Sequence, residues 1–169
     1  MRLFNLLATG VLILTTWTHA QDGPARADAA IAVEIPTEVS DPPYAVGDLV
    51  MEQGYYLDRG EEETRINLRF EGNRIRLYWI DENGLIAEPE AEEAVVRFIG
   101  SVRGRRLHQL TPLAKGAGLG SPTIMPPPHI YNMVLHIPAS GKRSEISHSF
   151  RYTADLSVPV DPATKKGDS

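Results

Sequence analysis

Between residues 64 and 153 apolar side chains recur at every second position, not at the three- to four-residue spacing of a helix. In "TRINLRF" Ile66, Leu68 and Phe70 fall on one side of an extended chain, and Arg65, Asn67 and Arg69 on the other. In "RIRLYWI" Ile75, Leu77 and Trp79 oppose Arg74, Arg76 and Tyr78. "EGN" between them is a tight turn, because Gly and Asn tolerate positive φ. The two runs form a hairpin in which Phe70 and Ile75 face each other's strands. "AVVRFIGSV", "HIYNMVLHI" and "EISHSFRYT" continue the alternation. They put Met133 on a core face with Tyr131, Leu135 and Ile137, and His136 on the opposite face. "IDENGL" is a second turn, on Asn83-Gly84, with Trp79 packed inside beside it and Asp81 and Glu82 solvated. "EAEEAVVRF" starts with helix-compatible residues, but its β-branched pair and Phe favour a strand from Val95. Seven or so short strands with frequent turns predict an all-β fold, an antiparallel sandwich or open barrel.

The flanks lack this period. Residues 1–20 carry one charge, Arg2, then an apolar run ending in "THA". That is the form of a secretory signal peptide cut after Ala20, with no transmembrane segment left after cleavage. Residues 21–44 are small, acidic and Pro-punctuated, and read as an extended linker in which "AAIAVEIP" offers an edge strand. Residues 45–155 make one domain, large enough to bury a core. Residues 156–169 are polar and Pro-containing, and read as a disordered C-terminal tail.

The chain has no cysteine. An N-terminal lipid anchor, disulfides, thiolate catalysis and Cys-based metal sites are therefore excluded. An exported domain without disulfides is expected in the periplasm, or else secreted. Loss of the leader removes one cation and no acid, so the formal net charge of −5 becomes one unit more negative. That balance argues against nucleic acid and against an anionic membrane surface as partner.

Four chemistries have candidate residues. "MPPPHIYNMVLH" brings Met125, His129, Met133 and His136 within twelve residues. Thioethers with imidazoles suit copper, so Met125, His129 and His136 are the metal candidates, with His148 a further imidazole. Against that, strand alternation sends Met133 and His136 to opposite faces, and a Pro-stiffened loop entering a strand accounts for the pattern without metal. Ser121 in "LGSPT" is the serine a hydrolase would use, but no G-x-S-x-G surrounds it and no base lies at a recognisable spacing. Gly116, Gly118 and Gly120 resemble a phosphate loop, but Pro122 and "MPPP" prevent the helix such a loop needs. A mobile surface loop is the simpler reading. The acidic run "EPEAEE" and the arginines Arg97, Arg103, Arg105 and Arg106 suit a calcium site and an acidic partner or lipopolysaccharide phosphates, respectively, or simply balance each other. The loop 111–128 is long for a compact β domain. It is the first place to expect a binding site, with Gly118, Ser121, Met125 and His129 as its residues.

"RIRLYWIDENGLIAEPEAEEAVVRF", then "HIYNMVLHIP" and "HSFRYT", resembles in layout the small exported immunoglobulin-like bacterial domains of the FixH-like and copper-resistance accessory type. The resemblance covers about residues 65–153. It implies an immunoglobulin-like β-sandwich and a binding or accessory role in the cell envelope. Copper-binding members of that type use an N-terminal His, where this chain would begin at Gln21, so no metal residue carries over. Taken together, the sequence predicts a non-enzymatic periplasmic or secreted domain, without cofactor, that contacts a protein or cell-envelope partner. Metal handling through Met125 and His129 is the alternative, and a hydrolase the second.

Overall fold

The computed structural model describes residues 35–60, 63–100, 106–141 and 143–158. They belong to one compact unit, Glu34–Ser169. The expected leader and most of the linker and tail lie outside the described residues.

Eight strands are present among the described residues: β1 (Tyr55–Leu57), β2 (Arg65–Glu71), β3 (Arg74–Ile80), β4 (Ala94–Ile99), β5 (Leu107–Pro112), β6 (Leu119–Gly120), β7 (Tyr131–Ile137) and β8 (Ile146–Tyr152). A single 3-10 turn follows, at Ala154–Leu156. No described helix is long and apolar enough to cross a membrane. All ladders are antiparallel, and the strands form one sheet in the order β1-β2-β3-β6-β5-β4-β7-β8. The all-β expectation holds. The strand number is eight instead of about seven, and the architecture is one nearly closed, barrel-like sheet instead of two facing sheets. The reason is β6. Its two residues pair with Arg76 and Leu77 of β3 on one side and with Thr111 and Pro112 of β5 on the other. This short ladder joins what would otherwise be two separate sheets.

The hairpin β2–β3 has the expected register, with Phe70 opposite Ile75. Gly72 and Asn73 both have positive φ, 56° and 61°, as a two-residue primed turn requires. The second turn is held by Asp81, whose carboxylate accepts the N–H groups of Asn83 and Leu85 at 2.9 Å each. Trp79 is buried, as are Ile66, Leu68, Phe70, Ile75 and Leu77 on the same face. They meet Val96, Phe98, Leu110, Met133, Leu135 and Ile137 from the other half of the sheet in one interior cluster.

The opposite face of β2–β3 is also covered. Asn67, Arg69, Tyr78 and Ile80 are buried there, beneath Tyr44, Val50, Ile86 and Ala117. The packed unit thus reaches beyond 45–155 on both sides. Tyr44 accepts the Ala117 N–H at 2.7 Å through its carbonyl, and the Val158 N–H donates to Phe70 O at 2.9 Å. Residues 156–158 are therefore packed, contrary to a tail disordered from residue 156, because Leu156 finds the core and Val158 a strand edge.

Candidate functional site

The Pro-rich segment before β7 is a latch. Met125 is buried in the interior cluster and its N–H donates to Asn73 O at 2.7 Å. His129 is buried and stacks on Phe70, with ring centroids 4.3 Å apart. Its Nε2 lies 2.7 Å from Met125 O and its Nδ1 2.8 Å from Ser157 Oγ. A carbonyl only accepts, so Nε2 carries a proton, and Nδ1 is engaged with the Ser157 hydroxyl. Both ring nitrogens are thus engaged, and the partner at residue 125 is its carbonyl, not its thioether. The structure does bring Met125 and His129 together, in an arrangement in which both imidazole nitrogens are already hydrogen-bonded. His136 lies elsewhere, on the outer face of β7, 3.4 Å from Glu145. Among the described residues no group of three or more His, Asp or Glu is placed to hold a metal ion.

The loop expected to be mobile is packed. Ser121 is buried, with its N–H on Ile75 O at 3.1 Å and its Oγ receiving the Thr123 N–H at 3.3 Å. Gly118 is buried against β3 at φ +94°. A Cβ there would lie 2.5 Å from Leu77 O and 2.7 Å from the Tyr78 ring. The glycines of this loop serve close backbone approach, not phosphate binding. Gly118, Ser121, Met125 and His129 do not converge on an open cavity.

The feature that does open to solvent is the seam where the sheet fails to close. β1 and β8 are the two ends of the strand order and share no ladder. One end of the seam is sealed. Tyr55 of β1 stacks on Phe150 at 4.0 Å and its hydroxyl lies 2.7 Å from His148 Nε2, both on β8. The Tyr152 hydroxyl receives the Phe70 N–H at 3.1 Å, and Gln53 Nε2 donates to Ser157 O at 2.7 Å.

At the other end the strands leave a groove of about 730 Å³ between Leu57, Arg59, Glu63 and Thr64 on one side and Arg143 to His148 on the other, bordered by Glu90. Glu90 is nearly buried at its wall. Its carboxylate meets Arg59 Nη2 at 2.9 Å, Arg143 Nη1 and the hydroxyl of Thr64. Within the acidic run Glu90 thus finds its cations in Arg59 and Arg143; of the arginine group named by sequence proximity, Arg103 and Arg105 lie outside the described residues. Glu63, Arg143 and Glu145 expose more than half of their side chains along this groove, and His148 and Ile146 form its floor beside Leu57.

Sequence reasoning missed the third polar cluster. Arg69 is fully buried on the outer face of β2, with Nε donating to Asn67 Oδ1 at 2.6 Å and Nη2 to Met51 O at 3.1 Å. The rings of Tyr44 and Tyr78 flank its guanidinium at 6.0 and 5.7 Å. Nearby, Glu71 accepts the Tyr78 hydroxyl at 2.9 Å, and Arg76 lies 3.8 Å away. Burial pushes the Glu71 carboxyl above its ordinary range, against the opposing pull of the Tyr78 hydrogen bond and the two arginines. Burial, reinforced by Glu71, also raises the Tyr78 phenol. The only sequence signal for this cluster was its alternation with the core face.

No protein-family model, no curated protein and no solved structure matches this chain.

Proposed function

We propose that this protein is a non-enzymatic binding domain of the periplasm or the exterior, and that it contacts a protein or cell-envelope partner through the open half of the β1–β8 seam. The observation that carries the reading is the seam itself. Two strand edges face one another without a ladder, and edges of this kind accept an extended segment of another chain. Beside them runs a groove whose exposed rim is charged in both senses, by Glu63, Arg143 and Glu145. Such a rim selects a partner by complementary charge more than it adds raw affinity. The leader sequence and the layout resemblance to envelope accessory domains support the same location and role. The loop 111–128 then acts as the brace that joins β3 to β5 and leaves the contact to the seam.

Affinity capture from envelope extracts tests the reading. The chain carrying Arg143→Glu with Glu145→Lys reverses the rim on side chains that are largely exposed. The reversed chain is expected to lose the partner that the parent retains. Equal recovery by both would overturn the seam as the contact.

A further inference from the structure

The two ends of the barrel differ in character. At the end where β2, β4 and β8 begin, the loops carry Asp58, Glu63, Asp81, Glu82, Glu88 and Glu92 among other acids. At the opposite end the exposed charges on the strand termini are Arg74 after the β2–β3 turn, Arg106 before β5 and Arg151 near the end of β8. The acids there are Glu71, which is turned into the Tyr78 contact, and the exposed Glu52 and Asp155. The formal negative charge of the chain conceals this segregation.

The same basic end carries aliphatic side chains in water. Ile99, Leu107, Ile124 and Ile130 are 46, 50, 61 and 51 % exposed. They are brought together by the topology. Ile124 precedes Met125, which is bonded to Asn73 in the turn beside Arg74. Ile130 leads into β7, where Asn132 sits between Ile99 of β4 and Arg151 of β8. Leu107 pairs with Arg97, and its neighbour Arg106 accepts the Phe98 N–H through its carbonyl. Ile124 and Ile130 also bracket the buried pair Met125 and His129, so the latch holds both tips without ordering them anew on contact.

We propose that this end of the barrel docks on an anionic lipid surface. The aliphatic tips enter the boundary between headgroups and acyl chains, and Arg74, Arg106 and Arg151 pair with lipid phosphates. Separate aliphatic tips ringed by guanidinium groups match that boundary, which offers apolar depth and negative charge together. The acidic end, with the groove, then points away from the bilayer. The surface is distinct from the seam, so the two readings fail independently.

The chain contains no cysteine, so a single introduced thiol can be labelled uniquely. The exported chain carrying Thr123→Cys, beside Ile124, is labelled with an environment-sensitive fluorophore and mixed with vesicles. Ser140→Cys, exposed at the acidic end, is the control. With phosphatidylglycerol–phosphatidylcholine vesicles the label at residue 123 should shift to the blue and that at 140 should not. Phosphatidylcholine alone should give little shift. Ile124→Asp with Ile130→Asp should lower vesicle partitioning by at least about tenfold. Arg74→Gln or Arg151→Gln should each lower it about fivefold at low ionic strength, with the loss fading as salt is added. Equal shifts at both labels, indifference to anionic lipid, or a shift that needs envelope proteins in the vesicles would each overturn the proposal.

Discussion

Replacing Gly118 by alanine tests how the Gly-rich loop is built into the sheet. Two costs add. At φ +94° an alanine is strained, by about 1–2 kcal/mol. Its Cβ would also lie 2.5 Å from Leu77 O and 2.7 Å from Tyr78 Cδ1, in a buried strand whose backbone is fixed by ladders on both sides. Overpacking of that kind costs about 1–3 kcal/mol. The expected loss is therefore about 2–5 kcal/mol, a large part of the stability of an ordinary domain. Gly141 supplies the comparison. Its φ is +59°, but nothing lies within 4 Å of a Cβ there, so Gly141→Ala carries the conformational cost alone. The assay is urea unfolding followed by the fluorescence of the buried Trp79. With a slope of about 2 kcal/mol per molar urea, Gly118→Ala should move the midpoint down by at least about 1 M, and Gly141→Ala by about half as much. Equal midpoints for the two variants would refute the close approach of this loop to β3, and with it the bridging role of β6.

Three further outcomes follow from the polar contacts. Glu71 has a folded-state pKa above its ordinary value, so the folded chain holds that proton more tightly, and stability falls as pH rises from about 4.5 through the raised value. Glu71→Gln should flatten that part of the stability–pH curve, and an unchanged curve would count against the burial of this carboxyl. Tyr152→Phe removes the hydroxyl that receives the Phe70 N–H. It should cost about 1–2 kcal/mol and speed hydrogen exchange at the Phe70 amide, which amide-resolved exchange would detect. Both nitrogens of His129 are already hydrogen-bonded, so stoichiometric Zn(II) or Ag(I), a Cu(I) mimic, should leave the amide resonances of Met125 and His129 unmoved. Stoichiometric shifts confined to those residues would reinstate the metal reading.

The sequence made the regular strands readable and concealed the joints. Residues 65–80 show strict alternation and a primed-turn dipeptide, and their register and buried Trp79 follow from those two signals. Met133 inward and His136 outward follow from the same period. Three strands escaped. β1 has three residues and β6 two, too few for any period to register, and β5 reads "LHQLTP", with a buried His108 in an apolar position. Missing β6 turned one curved sheet into an expected sandwich. Alternation sets Arg69 and Asn67 opposite a core face and gives no sign that this second face is covered. They are covered by residues 44–57, where glycines at 47 and 54 and irregularly spaced polar residues leave no periodic signal of packing. The seam groove draws on Leu57, Arg59, Glu63, Thr64, Glu90 and Arg143 to His148, and no local motif announces a site assembled from three separate segments.

The most direct test of the open seam as the contact is site-specific photocrosslinking in intact cells. A photoreactive side chain replaces Ser147, exposed on the edge strand β8 at the groove. In a second chain it replaces Thr111, exposed on β5 in the middle of the sheet order. The account predicts a discrete covalent adduct from residue 147 that residue 111 does not give, and that Arg143→Glu with Glu145→Lys abolishes. The same adduct from both positions, or none from residue 147 above the level at 111, would contradict it.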